Sequence, residues 1–263
     1  MRLLLINGNT DPAITARMVA LARATAGAGV AIEGATAPFG ARYISTRSAA
    51  AIAAHAVLDA LARALADAPP PDAVMLACFG DPGIAALREL SPVPVVGMAE
   101  ASILAAATLG GRIALLTGGA RWVPMLTEYA AAIGFGARVI VRGIALTGDA
   151  IAADPDAALP ALAAEARAAV TEDGAEVVVL GGAGLAGLAG RIADAVPVPL
   201  LDSLAATVRA AIALARAAAP KATAGSYAAP PRTPVDGLSG PLAALLAPAE
   251  TASGARQTRA PRS

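Results

Sequence analysis

The chain holds one cysteine, Cys78, in the stretch A-C-F-G-D-P-G from Ala77 to Gly83. A thiol at the end of an apolar run, followed by a glycine turn, can act as a nucleophile or proton carrier once it ionises. Asp81-Pro82 reads as a helix start, with Asp81 as N-cap and Pro82 in the first turn. On that reading the partial positive charge of the helix N-terminus lowers the pKa of the Cys78 thiol. The N–H groups of Phe79 and Gly80 then face a ligand carboxylate or an enolate oxygen. The same residues also fit a plainer reading, because free cysteine is among the most buried residue types.

Three further glycine-containing strand ends accompany this one. Asn9 and Thr10 follow the first apolar run, with side chains suited to ligand binding or to capping the next helix. Thr117 and Gly118 end a later run, and Gly182, Ala183 and Gly184 follow another. Tyr43 sits in a loop, Pro38 to Thr46, placed to cover such a site or to pack on the surface. His55, the only histidine, lies in a helical stretch without a motif and reads as structural. Trp122 reads as packing, and Asp81 and Glu100 as capping and solvated groups. One cysteine and one histidine make neither a disulfide nor an ordinary zinc site, so no metal is expected.

Elements that place these residues alternate between short apolar runs and longer helical ones. Strands are expected at Arg2–Asn7, Val30–Ala35, Ala73–Cys78, Val93–Gly97, Arg112–Thr117, Ala137–Ile144, Val177–Gly181 and Val198–Leu201. Helices are expected at Asp11–Thr25, Arg47–Ala66, Pro82–Glu89, Ala99–Leu109, Val123–Ile133, Pro155–Thr171 and Ser203–Ala219. Asp11 is a fitting N-cap for the first of them. The alternation implies βαβ units and mostly parallel sheets.

The second cycle echoes the first. Asp72–Glu100, DAVMLACFGDPGIAALRELSPVPVVGMAE, matches Glu176–Ser203, EVVVLGGAGLAGLAGRIADAVPVPLLDS, in order of strand, small-residue turn, helix and Val-Pro. In this register Cys78 falls opposite Gly182. The fold class is therefore α/β: two pseudo-symmetric Rossmann-like halves, 1–100 and 101–215, each with a mostly parallel sheet. One cleft lies between them, lined by strand C-terminal ends. Residues 216–263 form an Ala/Pro-rich segment with a short helix within Pro234–Leu246 and a partly disordered tail.

Composition sets the limits. The 263 residues are 57% hydrophobic and 15% charged, with 20 basic and 20 acidic side chains, so a large core is available and a general nucleic-acid surface is not. The N-terminal apolar run is too short for a signal-peptide core, and no long uncharged apolar run suggests a membrane span. A cytoplasmic protein is expected.

The motifs resemble a known family. I-N-G-N-T at 6–10 is similar to the Ile-Asn-Pro-Asn-Thr opening of hydantoin racemases, with Gly8 in place of the proline. A-C-F-G-D-P-G, followed by P-V-V-G-M-A-E-A-S at 94–102, resembles the segment around their first catalytic cysteine. R-I-A-L-L-T-G-G with W-V-P-M-L at 122–126 resembles their second-half opening, and V-V-V-L-G-G-A-G-L-A-G-L at 177–188 their Val-Leu-Gly-Cys-Ala-Gly-Met segment. The wider group holds aspartate, glutamate, hydantoin and allantoin racemases, maleate isomerase and arylmalonate decarboxylase.

The resemblance implies two pseudo-symmetric halves and a cofactor-independent isomerase acting at the carbon α to a carbonyl of a small cyclic amide or amino acid. It makes Cys78 the first of two proton-carrying cysteines and puts Gly182 where the second stands. Asn9, Thr10, Tyr43, Phe79, Gly80, Thr117, Gly118, Ala183 and Gly184 are the expected substrate-binding residues. The alternatives are a single-cysteine decarboxylase or cis–trans isomerase of a small diacid, and an impaired racemase that only binds ligand. The expected partners are a small molecule and further copies of the chain, with no nucleic acid, membrane or cofactor.

Overall fold

A computed structural model describes residues 1–247. The first half runs β1 (Arg2–Asn7), α1 (Pro12–Ala26), β2 (Ala31–Thr36), α2 (Arg47–Asp67), β3 (Ala73–Leu76), α3 (Ile84–Leu90), β4 (Val95–Gly97) and α4 (Met98–Ala107). The second runs β5 (Ile113–Gly118), α5 (Trp122–Ala132), β6 (Val139–Ile144), α6 (Gly148–Ala153), α7 (Pro155–Thr171), β7 (Val177–Gly181), α8 (Ala189–Ile192), β8 (Leu200–Asp202) and α9 (Ser203–Ala217). A last helix, α10 (Gly240–Leu246), follows.

Each half builds a four-stranded, wholly parallel sheet, in the orders β2-β1-β3-β4 and β6-β5-β7-β8. The matching orders agree with the duplication read in the sequence. Strands β1, β3, β5 and β7 are covered on both faces, which is why they read as unbroken apolar runs. Register pairs Ile6 with Leu76 and Thr117 with Gly181, so the strand ends that carry the site residues lie side by side within each sheet.

The halves exchange helices. Helix α4, which ends the first half, packs against β7 of the second sheet, while α9 packs on β3 and β4 of the first. The two helices also pack on each other. One continuous core joins Leu3, Leu5 and Met75 of the first sheet to Ile113, Val177 and Val179 of the second. A separate cluster, with Leu116, Leu162 and Leu180, fills the outer face of the second sheet. The exchange leaves the C-terminal edges of the two sheets facing one cleft.

The caps explain several boundaries. Asp11 accepts a hydrogen bond from Ala13 N–H at the start of α1, with Pro12 as its first residue. Asp202 does the same for α9 through Ala205 N–H. Helix α6 has no counterpart in the expected elements; it is six residues long and opens with a glycine and an aspartate. Strand β3 stops at Leu76, two residues before Cys78, and α3 starts at Ile84 rather than Pro82.

Helix α2 is long and apolar enough to cross a membrane by length and composition alone. Here it packs on β1, β2, α3 and α10. Its buried Asp59 accepts from Arg63 Nε at 2.7 Å and from Ser239 Oγ, which caps α10. Part of the 216–263 segment is thus folded back onto the first half; the tail expectation for 248–263 lies outside the described residues.

Candidate active site

A cavity of about 280 Å³ lies between the C-terminal edges of the two sheets. Asn9 comes to it from the turn after β1, and Cys78 and Phe79 from the turn after β3. The second sheet supplies Thr117 and Gly118 at the end of β5, and Gly182, Ala183 and Gly184 after β7. Tyr43 reaches over from the loop after β2. The structure thus brings together nine of the expected positions. Thr10 and Gly80 stand outside the lining: Thr10 N–H donates to Ala41 O at 3.1 Å, and Gly80 lies against the Trp122 ring.

The two sheets meet through side chains that cross the cleft. Phe79 is buried and lies so close to Gly181 that a β-carbon there would collide with its ring. Trp122, at the start of α5, donates from Nε1 to Ile44 O at 3.0 Å. The Tyr43 hydroxyl accepts from Gly148 N–H at 3.1 Å, at the first residue of α6. Arg17 of α1 donates to Gly184 O at 3.2 Å and to Ala186 O at 3.0 Å. The Gly182 turn is therefore held from the first half as well as by its own strand.

Cys78 is buried, with 9% of its surface exposed. Gly8 walls one side: a β-carbon there would stand 3.2 Å from Cys78 Cβ and 3.4 Å from Sγ. Burial pushes the thiol up to about 12, and the nearby negative charge of Asp81 adds to the effect. This corrects the expectation of a thiol acidified by a helix N-terminus. The helix starts later than the Asp-Pro pair suggests, and the carboxylate beside the thiol is buried with it.

Asp81 is the second correction. It does not cap the helix that follows it. Its backbone takes the left-handed region at φ 48°, and its carboxylate turns into the protein. Oδ1 accepts from Ala99 N–H at 3.0 Å and Oδ2 from Glu100 N–H at 2.9 Å, so it caps α4 from 18 and 19 residues away. Gly97, at the N-cap of α4, has no side chain because the Asp81 carboxylate fills that space. Tyr129 of α5 donates to Oδ2 at 2.6 Å. Burial raises the Asp81 carboxyl to about 6, against the lowering pull of these three hydrogen bonds. Asp81 N–H donates to Cys78 O at 3.0 Å, which ties the carboxylate to the thiol's own turn.

Polar groups on the wall are few. Asn7 Nδ2 donates to Asn9 Oδ1 at 2.8 Å and to Thr15 Oγ1 at 3.0 Å. Asn9 Oδ1 also accepts from Asp11 N–H at 2.9 Å, and among the described residues no hydrogen bond uses Asn9 Nδ2. The N–H groups of Phe79, Ala183 and Gly184 likewise have no protein acceptor among the described residues. Three charged side chains reach the lining, Asp11, Arg42 and Asp149, and Arg42 pairs with Asp11 at 2.8 Å. No group of three or more His, Cys, Asp or Glu side chains that could hold a metal occurs among the described residues. His55 is remote and meets Phe39 edge to face at 4.9 Å.

Ile44, Trp122 and Asp149 line the cavity without having been expected there, and Asn7 does so from the end of β1. Asn7 is the last residue of β1 and matches Thr117 near the end of β5. Asp149 had no signal, since its helix was not foreseen.

Known proteins share this architecture. The family model for Asp/Glu/Hydantoin racemase matches residues 3–211. The chain belongs to this racemase family. The hydantoin racemase of Paenarthrobacter aurescens is 34% identical over 234 residues, which is 88% of this chain and 98% of that protein. The solved allantoin racemase of Pseudomonas fluorescens is 36% identical with a TM-score of 0.85, covering 90% of this chain and all of that one. The Nocardia farcinica maleate cis–trans isomerase, at 16% identity and TM-score 0.60, covers 81% of this chain and 93% of that one, and shares the fold alone. The chain is thus an enzyme of a racemase family, with two parallel α/β halves around one cleft.

Two outcomes follow from the buried groups. Iodoacetamide should label Cys78 about tenfold or more slowly than a free thiol near neutral pH, and labelling should quicken as pH rises; mass spectrometry of timed aliquots reads this, and labelling at the free-thiol rate would contradict it. Asp81 has a folded value above its unfolded 3.8. The stability linked to its protonated form is complete below the unfolded value and is lost as pH rises through about 6. Burial of the ionised carboxyl then costs on the order of 3 kcal/mol. Asp81→Asn keeps a residue that tolerates φ above zero. Its urea midpoint, compared with that of the unaltered protein, should gain between about pH 4 and about pH 6.5; a constant difference across that range would show that Asp81 does not titrate there.

Proposed function

We propose that the protein is an isomerase that moves a proton at the carbon next to a carbonyl of a small cyclic amide of the hydantoin type, with Cys78 as a proton-carrying thiol. The observation that carries the reading is the place of Cys78: it stands on the wall of a cavity whose only arginine is already paired with an aspartate. A neutral ring enters such a cavity at little electrostatic cost. A dicarboxylate would bring two negative charges to a wall that already holds Asp11 and Asp149.

The thiolate form of Cys78 takes the α-hydrogen as a proton, and the electron pair of the C–H bond passes into an enolate. Amide donors stabilise the oxygen that gains charge. The unpartnered N–H groups of Phe79, Ala183 and Gly184 and the free Nδ2 of Asn9 are the donors at hand. Since the resting thiol is protonated, only a small thiolate fraction works near neutral pH, and kcat/KM should climb by about tenfold per pH unit there.

A second reading has one observation in its favour. The wall opposite Cys78 presents Gly182, so the pocket has a single thiol, as a one-cysteine decarboxylase or diacid isomerase would need. The charge of the lining weighs against it. Both readings are separated by incubating the protein with 5-substituted hydantoins, with substituted malonates and with maleate. Turnover or solvent-deuterium uptake on hydantoins, abolished by Cys78→Ala, is the expected result. Activity confined to the diacids would replace the first reading with the second, and unchanged activity in Cys78→Ala would remove the thiol from both.

A further inference from the structure

Inversion at a carbon needs proton chemistry on two faces. On the reading above, Cys78 serves one face, and this inference rests on that reading. The second sheet's side of the cavity has no thiol, because its β7 turn carries Gly182. A cysteine there would have room: the nearest atom to an added β-carbon is Leu185 Cδ1 at 3.6 Å. The backbone, however, sits at φ 130°, a region that side chains avoid. The turn has a shape that suits glycine.

One proton-bearing group is built into that side. We infer that the Tyr43 hydroxyl is the second catalytic acid–base group, acting on the face of the substrate carbon opposite Cys78. Tyr43 belongs to the first half by sequence, yet its hydroxyl is fixed on the second. It accepts from Gly148 N–H at 3.1 Å, and a β-carbon on Gly119, just past β5, would stand 3.3 Å from it. Gly148 in turn packs directly on Gly184, two residues from Gly182. The hydroxyl therefore lies past the end of β5 and at the start of α6, on the side of the cavity that Gly182 also lines. Its oxygen accepts a hydrogen bond, and its own proton has no acceptor among the described residues.

The other candidates on the wall fit less well. Asp149 is exposed and has no hydrogen bond to orient it among the described residues. The aliphatic hydroxyl of Thr117 is too weak an acid and base for the step. Burial raises the Tyr43 phenol, but returning a proton to an enolate carbon is downhill, and a weak acid suffices.

The protons balance as follows. The Cys78 thiolate removes the α-proton, leaving the C–H electron pair in the enolate. Tyr43 gives its proton to the carbon from the other side, and the O–H electron pair remains on the phenolate. Cys78 now holds a proton and Tyr43 lacks one. That form runs the opposite enantiomer in reverse, or resets when water carries the proton from thiol to phenolate.

The test follows each enantiomer of 5-isopropylhydantoin in deuterium oxide, with proton NMR for exchange and polarimetry for inversion. Tyr43→Phe keeps the ring and removes the proton. It should slow inversion by about 100-fold or more, the ordinary scale of a lost acid–base group. Exchange should persist on the enantiomer whose hydrogen faces Cys78, with retention, because the thiol can return a deuteron to the side it served. Inversion within a few-fold of the unaltered protein overturns the inference. So does an equal loss of exchange and inversion in a folded variant, which would mean a binding role. In the Tyr43→Phe background, Gly182→Cys should restore inversion by about tenfold or more; a folded double variant that binds hydantoin yet only exchanges with retention would also overturn it. Failure of the underlying reading looks different: no exchange by the unaltered protein, or unchanged exchange in Cys78→Ala, removes Cys78 first and Tyr43 with it.

Discussion

The buried carboxylate of Asp81 is the interaction on which the cavity's shape depends. It caps α4, accepts the Tyr129 hydroxyl from the other half, and shares a turn with Cys78. Three donors from two pieces of chain distant in sequence, α4 and α5, converge on its two oxygens. The arrangement holds Asp81 in the left-handed region, where a residue with a β-carbon normally pays of order 1 kcal/mol. Two backbone N–H bonds and a phenol compensate that strain and part of the desolvation. What remains is a negative centre next to a thiol; burial keeps that thiol protonated, and the charge of Asp81 adds to the effect. The same contact that fixes the thiol's position therefore reinforces the resting state that burial imposes.

The second half solves the equivalent problem with a different donor of the same group. There the capping carboxylate is on the strand end itself: Asp202 caps α9 and its other oxygen accepts from Gly187 N–H at 2.6 Å in the facing turn. In the first half the strand end is Gly97 and the carboxylate comes from the turn. Each half thus links its fourth strand, its last helix and its cavity turn through one aspartate, with the residue moved from one partner to the other. Because α4 and α9 each pack on the opposite sheet, either link also aligns the two halves. The cavity is a product of that alignment, with Phe79 packed closely against Gly181 across it.

Most of the scaffold could be read from the sequence because parallel strands buried on both faces leave unbroken apolar runs. The repeat then placed Cys78 and Gly182 at equivalent turns. What escaped the reading was long-range. A sequence shows Asp81 ahead of a helix, and local capping is the nearest explanation; the true partners lie in α4 and α5. It shows a thiol near a helix start, while burial, which reverses the sign of the shift, appears only when the halves close. Tyr43 was read as a residue over the cleft, but its anchor at Gly148 lies 105 residues away in the chain. Helix α6 was missed because six residues with a leading glycine and aspartate carry too little periodicity to distinguish a helix from a turn.

Unequal groups on the two faces have a defined physical consequence on the proposed reading. Enantiomers have equal free energy in water, so no arrangement of side chains can make one of them predominate at equilibrium. The ratio of kcat/KM for the two directions is held at unity whatever the acids are. A thiol and a phenol can differ only in how they divide that common ratio between kcat and KM. The direction that starts from thiolate with phenol and the one that starts from phenolate with thiol draw on differently populated forms of the free enzyme. Interconversion of these forms becomes a step of the cycle in its own right, and at high substrate concentration it competes with chemistry for control of the rate. A pair of matched thiols makes the two forms near mirror images. Gly182 removes that symmetry, and the asymmetry of the wall passes directly into the kinetics while leaving the equilibrium untouched.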